Sequence, residues 1–165
     1  MEPSQEKGVT QIHEIYIRAP AAQIWEAITS PEWSRQYGYQ GIYEYDLRPG
    51  GRFRCKPNDQ MRAMGLPDIM IDGEVISADP PRKLVQTYRF LFSPVNEAEG
   101  FTRLTFDIED TGQGFCRLTV THELDGAPLM AQATRSPFST RGGGGWLWII
   151  SDLKSLLETG KRLGA

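Results

Sequence analysis

Only two cysteines and two histidines occur in these 165 residues: Cys55 and Cys116, His13 and His122. The cysteines are too far apart in sequence for a CxxC redox pair or a zinc-ligand cluster. In a reducing compartment they read as small buried hydrophobes rather than as a disulfide. No apolar run approaches the roughly 18 residues that span a bilayer, so no membrane insertion is expected. No Lys/Arg block exceeds two residues and the net charge is −3, which argues against nucleic acid or an anionic membrane surface as partner. Residues 1–7 are polar and carry no signal-peptide core, so a cytoplasmic location is expected. HExxH, Gly-x-Ser-x-Gly and the lysine and hydroxyl of GxxxxGK[ST] are all missing. No metal and no cofactor is therefore expected.

What is present is an ordinary globular composition, 39% hydrophobic and 24% charged, at a length that suits one domain. Residues 1–9 are expected to be a flexible N-terminus and 10–163 a single domain. Residues 10–18 are β-branched and alternate, which predicts a strand. Ile24, Trp25 and Ile28 at helical spacing predict a helix over 21–29, and Ser30 is the expected N-cap of a second short helix at 30–33. Alternation predicts strands over 42–48, 52–56, 69–78, 83–92, 101–109 and 114–123. Turns fall at Pro49-Gly50-Gly51, Asp79-Pro80-Pro81 and 110–113. Segments 57–67 and 93–100 read as loops. The last twenty residues predict one long helix. Its apolar stripe runs from Trp146 through Ile149, Ile150, Leu153, Leu156 and Leu157.

Sequential hairpins imply a mostly antiparallel sheet and an α+β class. Six to seven strands, two short helices after the first, and one long C-terminal helix are expected. The helix must bury its stripe, and the sheet is the only large partner. A curved sheet gripping one helix leaves a cavity between them.

The order of these pieces resembles the START-like (SRPBCC, helix-grip) superfamily, in the branch related to activators of heat-shock-protein ATPase. The resemblance rests on Ile17-Arg18-Ala19-Pro20 with Ile24-Trp25-Glu26-Ala27-Ile28-Thr29. It continues through Asp46-Leu47-Arg48-Pro49-Gly50-Gly51-Arg52-Phe53 and Gly73-Glu74-Val75. Asp79-Pro80-Pro81-Arg82-Lys83-Leu84-Val85 and Arg117-Leu118-Thr119-Val120-Thr121-His122-Glu123 follow. The last piece is Gly145-Trp146 with Leu153-Lys154-Ser155-Leu156-Leu157-Glu158-Thr159-Gly160. The resemblance implies a helix-grip fold over about residues 10–163. It leaves function open among ligand carriers, aromatase/cyclases and co-chaperones.

Candidate site residues come from the aromatic alternation and from the helical stripe. Tyr37, Tyr43, Tyr45, Phe53, Val75, Tyr88, Phe90, Phe106 and His122 are expected on the sheet wall. Trp146, Ile149, Ile150 and Leu153 are expected on the helix wall. Phenol hydroxyls among Phe and Trp faces suit a small hydrophobic or aromatic ligand held by few polar groups. His13 and His122 both alternate inward; they read as hydrogen-bonded core histidines or as acid/base residues of a cyclase- or hydrolase-like enzyme. No catalytic residue is assigned. Glu44, Asp46, Asp72, Glu74, Arg52 and Arg54 read as solvated faces. The glycine run 142–145 reads as a hinge, or as part of a lid formed with 128–141. Trp148 lies opposite the apolar stripe, which suggests contact with a second copy of the chain or cover by residues 128–140. A co-chaperone-like interaction module is the second functional expectation.

Overall fold

The computed structural model describes residues 9–139 and 143–164. Strand β1 (Thr10–Ile17) leads into helices α1 (Ala21–Thr29) and α2 (Pro31–Ser34). Strands β2 (Ile42–Tyr45) and β3 (Arg52–Lys56) form the first hairpin, and α3 (Asp59–Ala63) follows. Next come β4 (Ile71–Asp79), β5 (Lys83–Phe90), α4 (Pro94–Glu99), β6 (Thr102–Asp110) and β7 (Cys116–Glu123). The chain ends in α5 (Pro128–Arg135) and α6 (Gly145–Thr159). All seven strands form one sheet in the order β1-β7-β6-β5-β4-β3-β2, and each neighbouring pair is antiparallel. The α+β helix-grip architecture is thus as the sequence predicts.

Alternation explains the register. On β7, Cys116, Leu118, Val120 and His122 point inward and are buried. Opposite them on β6, Thr102, Leu104, Phe106 and Ile108 do the same. A one-residue slip would turn both rows to solvent, so burial fixes the pairing. Gly73 sits where β4 passes β5 closely: a Cβ there would lie 1.9 Å from the Thr87 carbonyl oxygen. Helix α1 buries Ile24, Trp25 and Ile28, the residues whose spacing predicts it. Helix α6 buries Trp146, Ile149, Ile150 and Leu153 as one stripe.

Three segments depart from the sequence reading. Segments 57–67, 93–100 and 128–141 were expected as loops or a lid, yet α3, α4 and α5 lie within them. The first two are short helices fixed by their caps: Asn58 accepts from the Met61 N–H and Ser93 from the Asn96 N–H. Five or six residues are too few to show a helical period, so only the cap could have signalled them. Ser30, by contrast, does not cap α2. Its hydroxyl donates to Glu32 Oε2 at 2.6 Å instead. Of the N-terminal segment, residues 1–8 lie outside the described residues; the Val9 carbonyl accepts from the Leu124 N–H at 2.7 Å.

Asp152 stands outside the apolar stripe of α6, on the side of Trp148, and is nevertheless fully buried. The loop around Gly38 and the tail after α6 fold over that face. Asp152 accepts from the Gly38 N–H (2.9 Å), the Leu163 N–H (2.8 Å) and Arg162 (2.8 and 3.0 Å). Arg162 also donates to the Gly38 carbonyl at 2.7 Å. A buried carboxylate persists where hydrogen bonds and a counter-charge replace its water.

Candidate functional site

A cavity of about 430 Å³ opens between the N-terminal half of α6 and the β2–β5 side of the sheet. Tyr43 of β2, Cys55 of β3, Ile71 of β4, and Tyr88 and Phe90 of β5 form its sheet wall. Trp146 and Ile149 form its helix wall. Its rim comes from the elements that the sequence hid: Met61 and Leu66 in and after α3, Asn96 of α4, and Ala133 and Thr134 of α5. Tyr39, Gly41, Met70, Phe92, Gly143 and Gly145 complete the lining.

Among the residues expected to line such a cavity, Tyr43, Tyr88, Phe90, Trp146 and Ile149 meet in its wall. Tyr37, Tyr45, Phe53, Val75, Phe106, His122, Ile150 and Leu153 sit in the core, outside that lining. Alternation reports which face a residue occupies but not how far along the sheet the interior is filled. The sequence reading missed the rim residues because they lie on segments without a period. Met61 and Leu66 were the available signal, as isolated apolar residues in an otherwise polar stretch.

The rings form a connected set. Phe53 stacks on Tyr88 (14°, 6.0 Å between centroids) and meets Tyr43 edge-on at 5.9 Å. Tyr88 continues to Phe90 at 5.8 Å, and Phe90 to Phe92 at 5.2 Å. Tyr37 donates to the Ala27 carbonyl and Tyr45 to Gln86 Oε1. The hydroxyls of Tyr43 and Tyr88 make no hydrogen bond to protein among the described residues. Both residues line the cavity. Burial raises both phenols well above their ordinary range, and it pushes the Cys55 thiol up to about 12. All three groups are therefore neutral near pH 7, and Cys55 is not a thiolate nucleophile.

His122 is held by a defined network. Trp146 Nε1–H donates to its Nδ1 at 3.1 Å, which assigns the ring proton to Nε2. That Nε2–H donates to Thr102 Oγ1 at 2.7 Å, and the threonine proton goes on to the Tyr88 carbonyl at 2.9 Å. Burial lowers the His122 pKa to about 4. Both nitrogens are committed, so His122 orients Trp146 and has no free position for a substrate. His13 lies apart, in a groove between β1, α5 and α6 beside Gln11 and Trp148. The acid/base reading thus loses both of its residues at this cavity.

The glycine run is a close-packed crossing. Gly144 and Gly145 have φ of +96° and +58°, and a Cβ on Gly145 would lie 1.9 Å from the Thr134 carbonyl oxygen. Only glycine fits both the conformation and the approach. Tyr39 fastens the run: its hydroxyl donates to the Gly143 carbonyl (2.7 Å) and accepts from the Gly145 N–H (3.2 Å). Gly142 and residues 140–141 of the expected lid lie outside the described residues. Trp148 is covered from within the chain, stacking on Phe138 at 5.2 Å and packing on Tyr39 at 5.2 Å. Among the described residues no group of three His, Cys, Asp or Glu is placed to hold a metal ion. No helix there is long and apolar enough to cross a membrane.

A curled antiparallel sheet closed on a C-terminal helix, with an apolar cavity between them, defines a START-like (SRPBCC) helix-grip protein. Within that class the chain belongs to the AHSA1 family, described as Activator of Hsp90 ATPase homolog 1-like protein, whose model matches residues 18–158. A search of curated proteins found no match. The chain is similar to CalU16 from Micromonospora echinospora, with 17% identity over 97% of this chain and 83% of that one and a TM-score of 0.64. It is also similar to Aha1 from Colwellia psychrerythraea, solved as a dimer: 17% identity, 93% and 98% coverage, TM-score 0.63. PFC0360w, an HSP90 activator from Plasmodium falciparum, gives 18% identity, 95% and 92% coverage and a TM-score of 0.55. Likeness at these identities shows the fold alone.

Proposed function

We propose that this chain binds a small, mostly apolar molecule between α6 and the β2–β5 side of the sheet. The apolar cavity of about 430 Å³ carries this reading. Its size falls within the roughly 300–1,000 Å³ of small-molecule sites, and its wall is aromatic with few polar groups. Burying about 300 Å² of apolar ligand surface contributes roughly 7 kcal/mol before association costs. Micromolar affinity then needs no strong polar anchor. The test is titration with N-phenyl-1-naphthylamine, a neutral apolar fluorophore. Saturable one-to-one binding that quenches the cavity tryptophan supports the reading. A signal that rises without saturation sinks it.

Family membership favours a second reading, a co-chaperone-like module that stimulates a chaperone ATPase. Adding the chain to an Hsp90-type ATPase would raise its turnover; an unchanged rate overturns this reading. A second copy of the chain is a proposed partner on the strength of the dimeric Colwellia relative. A solution mass of one chain overturns that.

A further inference from the structure

The cavity wall contains no charged side chain among the described residues. Tyrosine, asparagine, threonine, cysteine and tryptophan supply all of its side-chain polarity. A carboxylate or ammonium group entering it would lose its water and meet no counter-ion, which costs several kcal/mol in real protein interiors. The wall therefore discriminates by charge before any specific contact is made.

Apart from the exposed Tyr16 on β1, the tyrosines divide in two. Tyr37, Tyr39 and Tyr45 each spend their hydroxyl proton on a protein acceptor. Tyr43 and Tyr88 do not, and both line the cavity, one edge-on and one stacked against the same Phe53 ring. Two neutral donors thus belong to the wall of one apolar space. From Tyr88 the rings of Phe90 and Phe92 continue along the wall. Such a run of faces and edges suits a planar ring system.

Building on the ligand-binding reading above, we infer that the cavity selects an uncharged, ring-containing molecule whose carbonyl, ether or hydroxyl oxygen accepts a hydrogen bond from Tyr43 or Tyr88, and that it rejects anions and cations of the same shape. Three probes of matched shape separate the terms: 2-acetylnaphthalene, 2-ethylnaphthalene and 2-naphthoate, each titrated calorimetrically. The ketone should bind about 3- to 10-fold tighter than the hydrocarbon, the worth of one net hydrogen bond. It should bind at least roughly 30-fold tighter than the carboxylate. The double variant Tyr43→Phe/Tyr88→Phe loses the preference for the ketone over 2-ethylnaphthalene. Both hydroxyls lack protein partners among the described residues, so its unfolding midpoint should match the parent protein's. Naphthoate binding as tightly as the ketone overturns the inference and leaves the cavity reading standing. So does a ketone preference that survives in the double variant. If neither the ketone nor the hydrocarbon binds, the cavity reading itself fails.

Discussion

The two ends of the sheet meet the same helix and treat it differently. Over β6 and β7, Leu104, Phe106, Ile108, Leu118 and Val120 are all buried, and α1 adds Ile24, Trp25 and Ile28 to the same core. Over β2–β5 the interior is lined by large rings, and the closing elements are α3, α4 and α5, with Met61, Leu66, Asn96 and Thr134 at the rim. The anchoring differs as well. The C-terminal half of α6 is fastened by the buried Asp152 and Arg162, which tie the tail to the loop at Gly38. The N-terminal half is held by Trp146 on His122 and by Tyr39 on the glycine run. A helix with one continuous apolar stripe can therefore serve as core at one end and as cavity wall at the other. The nine-residue α1 closes one side, and shorter helices rim the other.

The sharpest way to break this comparison is at the anchored end. Asp152→Ala removes the carboxylate and leaves Arg162 and the Gly38 and Leu163 amides without their acceptor. Loss of one partner of a buried pair costs about 3–5 kcal/mol, and the partial exposure of Arg162 puts this case near 3–4. Urea denaturation measures it; a loss below about 1 kcal/mol would show that the tail is not an anchor. Core truncations compare the two ends directly. Leu104→Ala, in the filled end, should cost about 3 kcal/mol because a new void opens in packed surroundings. Phe90→Ala, on the cavity wall, should cost less, about 1 kcal/mol, because that ring is only partly buried and already borders a void. Equal costs would mean that the two ends are packed alike.

His122 joins the two ends and gives a pH signature. Its folded pKa of about 4 lies below the ordinary histidine value of 6.5, so the unfolded chain binds the proton more tightly. The stability linked to it is complete above about pH 6.5 and is lost as pH falls through 4. The shift corresponds to a loss on the order of 3 kcal/mol across that window. Denaturation midpoints from pH 7 to 4 should fall more steeply for the parent protein than for His122→Asn. Parallel curves would remove His122 as the linked group.

Much of this was legible in the sequence, unevenly for physical reasons. The strands on both sides of the sheet follow from alternation, and α1 and α6 from helical spacing, because both periods are imposed by burial of one face. The filled end is thus almost wholly readable. The cavity end is readable only on its sheet and helix walls, through Tyr43, Tyr88, Phe90, Trp146 and Ile149. Its rim rests on capped turns and on tertiary approach, as at Asn58, Ser93 and Gly145, which leave no periodic trace. Asp152 was hidden for a related reason: its burial comes from a tail ten residues further on, not from its own helix.

The smallest expected stability effect tests the open end alone. Ala133 lies on the exposed side of α5 and lines the cavity mouth. Replacing it with phenylalanine puts a ring at the entrance without touching the core, and surface changes of this kind stay within about 0.5 kcal/mol. Binding of N-phenyl-1-naphthylamine should nevertheless weaken at least tenfold, because the ring occupies space the probe needs. The two measurements together place the entrance. Binding lost with stability intact puts the mouth at α5. Binding unchanged moves it elsewhere on the rim, toward α3 or α4. Binding and stability lost together would mean that α5 belongs to the packed end, and the contrast between the two ends would then have to be redrawn.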